Sequence, residues 1–100
     1  MPEVMTMVSA HIAPERVDDV ISQFGAAVRT GMPERRHVSL LRGNGDLIRI
    51  VTVWRNRDDL ERYLTTADRP FAVTLLKNAG GEPVVDVLEV VLDSNTPWWP

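Results

Sequence analysis

Apolar residues alternate with period two in some stretches of the chain and recur at helical spacing in others. Residues 4–11, Val-Met-Thr-Met-Val-Ser-Ala-His, alternate loosely and are rich in strand formers, which predicts a first strand. Pro14 suits the first position of a helix, where its fixed φ fits and its missing N–H would be unpaired anyway. Glu15, Asp18 and Asp19 then favour the positive end of a helix. Val17, Val20, Ile21, Phe24 and Val28 fall on one helical face and Gly31 supplies a stop, so a helix is predicted over 14–29.

Gly43-Asn44-Gly45-Asp46 is the strongest local signal. Asn-Gly between apolar runs offers both residues of a type I′ turn, which demands positive φ twice. With Asn44 and Gly45 as the loop, His37 is predicted to face Thr52, Ser39 to face Ile50 and Leu41 to face Ile48. Val38 would then face Val51 and Leu40 would face Arg49 on the other side. Both sides of this hairpin are mostly apolar in the middle, whereas a solvated side reads as polar.

Asn56 precedes Arg57-Asp58-Asp59, a helix cap followed by acids in the first turn. Leu60, Tyr63, Leu64 and Ala67 continue as a short helical face, and Pro70 begins a second short helix carrying Phe71, Val73, Leu75 and Leu76 that ends at Gly80-Gly81. Residues 84–92 are predicted as the last strand, apolar on both sides apart from Asp86 and Glu89. The order β-α-β-β-α(α)-β predicts an α+β, ferredoxin-like fold: a four-stranded antiparallel sheet with helices on one face. The uncovered face is also apolar, and a lone domain would expose it as a large patch. A second copy of the chain, sheet against sheet, is therefore the expected partner.

Length and charge narrow the function classes. One hundred residues hold a single domain, here 1–92 with a tail at 93–100. Eleven basic against 14 acidic residues, net −3, leave no basic stripe, so nucleic acid is not an expected partner. No apolar run approaches a bilayer span and the start lacks a basic signal region, so neither membrane insertion nor secretion is expected and a cytoplasmic location is. With no cysteine and only His11 and His37 as nitrogen ligands, neither a metal site nor another cofactor is expected. Trp98 and Trp99, flanked by Pro97 and Pro100, are costly to leave in water; the tail is expected to pack on the partner subunit or over the mouth of the barrel-like interior that two such sheets enclose.

The run Val51-Thr52-Val53-Trp54-Arg55-Asn56-Arg57-Asp58-Asp59-Leu60, a strand ending in Trp that enters a helix, resembles the dimeric α+β barrel superfamily and within it the antibiotic-biosynthesis-monooxygenase-like domains. The Pro70-Phe71 helix and the Val-rich last strand match as well, and the resemblance covers about residues 3–92. It implies a homodimeric barrel and a pocket beside Trp54. Members that oxidise aromatic polyketides without a cofactor place an Asn four residues before that Trp and a Tyr six residues after it, where this chain has Ile50 and Leu60. Haem-degrading members carry a second Trp at the position of Tyr63 and a haem-ligating His at that of Leu75. The haem apparatus is thus missing, and most of the polar apparatus of the polyketide oxidisers is too.

His37 is the expected catalytic base, because an imidazole exchanges protons near neutrality and the predicted register puts it on one sheet side with Ser39, Thr52 and Trp54. The competing reading is an exposed residue at the strand's start beside Arg35 and Arg36. His11, at the end of the first strand, is expected at the cavity mouth or in the turn. Trp54, Ser39, Thr52, Ile50, Tyr63 and His11 are the expected pocket lining. Trp54 serves equally as a wall for a planar ligand or as plain core. Arg49 binds an anion or reaches past the hairpin to water. Asp86 and Glu89 point to opposite sides of their strand and make no acid–base pair. The resemblance implies as function a cofactor-independent monooxygenase, with a small apolar pocket for a planar aromatic or quinol-type molecule. The alternatives are a non-catalytic binding or stress-associated barrel, and an isomerase or cyclase of an enolisable substrate.

Overall fold

A computed structural model describes residues 3–30, 35–66 and 71–91; the tail at 93–100 lies outside them. Four strands, β1 (Val4–His11), β2 (Arg35–Arg42), β3 (Leu47–Trp54) and β4 (Val84–Glu89), form one sheet in the order β2-β3-β1-β4, with every pairing antiparallel. Three helices connect them: α1 (Val17–Thr30), α2 (Arg57–Thr66) and α3 (Phe71–Asn78). This is the ferredoxin-like α+β arrangement that the order of elements predicts. The first helix differs in one detail, since Pro14–Arg16 form a separate 3-10 turn before α1. The last strand is shorter than its apolar run, ending at Glu89, although Val90 N–H still donates to Glu3 O at 2.8 Å.

Alternation along β3 orients the sheet. Ile48, Ile50, Thr52 and Trp54 are buried, while the residues between them are half-buried. Register carries the same face onto β1, where Val4 pairs with Trp54, Thr6 with Thr52, Val8 with Ile50 and Ala10 with Ile48. The helices cover this face, and two buried clusters form beneath them. The larger joins Val8, Ala10, Ile48 and Ile50 to Val20 of α1 and Leu75, Leu76 and Ala79 at α3. The smaller joins Val4 and Trp54 to Leu60 of α2. Where α3 gives way to β4, the Gly81 backbone lies so close to β1 that an added Cβ would stand 2.8 Å from the Ala10 Cβ.

The hairpin between β2 and β3 corrects the predicted register. His37 pairs with Val53, Val38 with Thr52, Ser39 with Val51 and Leu40 with Ile50, one residue away from the expected pairing. Of the two loop residues Gly45 has positive φ, 67°, and Asn44 does not, so Asn44-Gly45 is not a type I′ loop. Gly43 N–H donates to Leu47 O at 2.9 Å, which leaves Asn44, Gly45 and Asp46 as the connection. Asp46 is drawn off to β1. Its carbonyl accepts from Ile12 N–H at 2.9 Å, and its Oδ1 lies 2.6 Å from His11 Nδ1. Because side chains alternate, the added loop residue exchanges the two faces of β2 relative to the prediction.

The second face is uncovered. It carries Met5, Met7, Val51 and Val53, together with Leu41 and Leu88, which are 46% and 47% exposed. Arg49 lies there too, its Nε donating to Ser9 Oγ at 2.7 Å across the strand pair. Among the described residues no helix is long and apolar enough to cross a membrane. Leu76 is fully buried at the centre of the larger cluster. Leu76→Ala should lower stability by about 2–5 kcal/mol, measured as a fall in the urea midpoint.

Candidate functional site

The two clusters do not meet everywhere. Between them the helix-side face carries the row Val38, Thr52, Thr6 and Val87, too small to fill the space up to α2 and α3. A cavity of about 130 Å³ remains over this row. The sheet forms its floor. Leu60, Tyr63 and Leu64 of α2 and Phe71, Ala72 and Val73 of α3 form its walls, and Val85 and Val87 form the β4 side. Leu64, Val85 and Val87 are 48%, 50% and 44% exposed, so apolar side chains rim the opening.

Hydrogen bonds fix the aromatic wall. Trp54 is buried, and its Nε1–H donates to Thr6 Oγ1 at 3.1 Å. Its ring lies against Tyr63, with centroids 5.0 Å apart and planes tilted by 36°. The Tyr63 hydroxyl oxygen accepts from Phe71 N–H at 2.8 Å, one of the N–H groups that lack a partner in the first turn of α3. Tyr63 therefore ties both walls together.

The start of α2 is held as its sequence predicts. Asn56 Oδ1 accepts from Asp59 N–H at 2.9 Å, an N-cap. The buried Asp59 carboxylate receives Arg55 Nε at 2.7 Å and Arg62 at 3.0 Å. These contacts set the helix that carries Leu60 and Tyr63 into the wall. Asp59→Ala should lower stability by about 1–2 kcal/mol, measured as a fall in Tm, because the two arginines are more than half exposed and recover water.

Trp54, Thr52 and Tyr63 line the cavity. Ile50 shares their face but belongs to the larger cluster at 1% exposure. His37 and Ser39 stand on the uncovered face with each other as partners, Nε2 to Oγ 2.8 Å, and the one-residue register difference is the reason. His11 also belongs to that face, exposed beside Asp46 at the hairpin tip. The expected grouping of His37 and Ser39 with Thr52 and Trp54 is thus overturned. Among the described residues no three His, Asp or Glu side chains gather closely enough to hold a metal ion. Asp86 pairs with Met7 and Glu89 with Val4, so the two acids point to opposite faces. Thr6, Phe71 and the β4 valines were not expected in the lining. The run of apolar residues in the second short helix was their signal in part, but only sheet register sets Thr6 beside Thr52.

The family model for antibiotic biosynthesis monooxygenases matches residues 3–69. The chain belongs to this family. No curated protein matches the sequence significantly. Among solved structures, SnoaB from Streptomyces nogalater, a cofactor-independent oxygenase, is 19% identical with a TM-score of 0.66, covering 96% of this chain and 100% of that one. A conserved protein from Methanosarcina mazei Go1 has a TM-score of 0.71 at 11% identity, covering 88% of this chain and 92% of that one. A haem-degrading protein from Mycobacterium tuberculosis has a TM-score of 0.68 at 17% identity, covering 95% and 98%. At such identities the likeness shows a shared fold. The antibiotic-biosynthesis-monooxygenase match itself spans β1 through α2, and so includes the floor except for β4 and one wall of the cavity.

Proposed function

We propose that the protein takes a planar hydroxyaromatic or quinol-type ring into the cavity beside Trp54 and oxidises it with dioxygen, without a cofactor. The observation that carries this reading is the apolar cavity walled by the fixed Trp54–Tyr63 pair. Membership of the monooxygenase family and the likeness to a cofactor-independent oxygenase support it. Such a substrate is its own reductant. With a quinol, one atom of dioxygen replaces a ring hydrogen as a hydroxyl, the other leaves as water, and the two quinol hydroxyls become carbonyls. Both electron pairs come from the ring, so the protein need only orient it and exclude water.

A specific observation favours a second reading. Among the described residues the lining holds no histidine, carboxylate, lysine or arginine. A cavity of that kind suits binding without chemistry, and it leaves an isomerase or cyclase that would depend on His37 without its base. Methylhydroquinone in ¹⁸O₂ separates the two. Catalysis gives a hydroxyquinone carrying one labelled atom, formed faster than in buffer. Binding alone gives ring uptake with no added oxygen consumption. In either case Trp54→Ala should weaken ring binding at least tenfold by equilibrium dialysis, whereas His37→Gln should leave it within twofold.

The same reading includes a homodimer through the uncovered sheet face. Met5, Met7, Val51, Val53, Leu41 and Leu88 form the apolar patch that supports it, since a stable monomer rarely leaves such a surface in water. Light scattering should give twice the mass of the chain at micromolar concentration. Val51→Glu, which puts a charge in the middle of the patch, should give monomers.

A further inference from the structure

We propose that Thr52 is the specificity-determining residue of the cavity, its hydroxyl hydrogen-bonding the oxygen substituent of a ligand built on a single six-membered ring. This rests on the reading that the cavity is the ligand site, and on no reaction there.

The other polar side chains of the lining each have a partner within the protein. Trp54 Nε1–H is taken by Thr6 Oγ1, and the Tyr63 oxygen accepts from Phe71 N–H. Thr52 is only 8% exposed, yet its hydroxyl has no hydrogen-bond partner among the described residues. No fully occluded side-chain nitrogen or oxygen in the described residues lacks a partner. The Thr52 oxygen therefore keeps accessible surface, and the cavity that Thr52 lines supplies it. A hydroxyl that opens on an apolar cavity, with no partner in the described residues, is free to hydrogen-bond a ligand oxygen. Filling space does not explain the residue. Val38, its neighbour on β2, shows that a valine fits the same row without a hydroxyl.

Volume sets the ligand's size. The cavity measures about 130 Å³. An apolar cavity of about 150 Å³ takes one benzene ring, so a single ring fills this one and a fused second ring would stand out through the opening. A hydroxyl both donates and accepts, so Thr52 serves a phenolic hydroxyl or a ring carbonyl alike. The ligand class is thus a monocyclic phenol, quinol or quinone.

Phenol and toluene test this, because they differ only in a hydroxyl against a methyl group of similar size. Binding is followed on the Trp54 indole N–H resonance of the full chain. Thr52→Val should weaken phenol binding about five- to tenfold without weakening toluene, and Thr52→Ser should restore phenol to within twofold. Phenol binding that is unchanged in Thr52→Val, or equal losses for both ligands, overturns the proposal while leaving the cavity as the site. Tighter binding of 1-naphthol than of phenol overturns the assignment to one ring. If neither phenol nor toluene moves the wild-type resonance, the site reading falls and this proposal with it.

Discussion

The structure depends on the register of β3 against both of its neighbours. Strand side chains alternate with period two, so one pairing decides which half of each strand meets the helices. Pairing Trp54 with Val4 and Ile48 with Ala10 puts the large apolar residues of β1 and β3 under α1, α2 and α3. The same pairing leaves Thr6 opposite Thr52. Two threonines side by side make a shallow row between a tryptophan row and an isoleucine row. The cavity is the unfilled space above that row.

This origin accounts for the chemistry of the site. Its walls are core residues, since α2 and α3 must bury apolar faces against the sheet in any case. Its polar groups are those that strand formers and aromatics bring with them: two threonine hydroxyls, one indole and one phenol. Three of these serve the fold, with Thr6 holding the Trp54 indole and Tyr63 capping α3. Specificity in such a pocket comes from shape and from a single hydroxyl rather than from charge.

Much of this was legible in the chain. The loose alternation at 4–11, the glycines at 43 and 45 between apolar runs, the Asn56 cap and the Gly80-Gly81 stop marked the elements, and their order marked the sheet. Trp54 entering a helix carried the family resemblance, which the match over residues 3–69 bears out. What could not be read was any contact between segments distant in sequence. Tyr63 capping Phe71 and Thr6 accepting from Trp54 appear only once strands and helices are packed.

The face of β2 is the sharpest case. Local sequence determined that a hairpin turns near Gly45, because only glycine takes its positive φ without cost. It did not determine how many residues turn. That was decided at the end of β1, where the His11 ring and the N–H of the following Ile12 hold Asp46 out of the ladder and lengthen the connection. One residue more in the loop carried His37 from the expected pocket to the opposite side of the sheet. The alternation was written in the sequence, but its phase was set by a hydrogen bond to another strand.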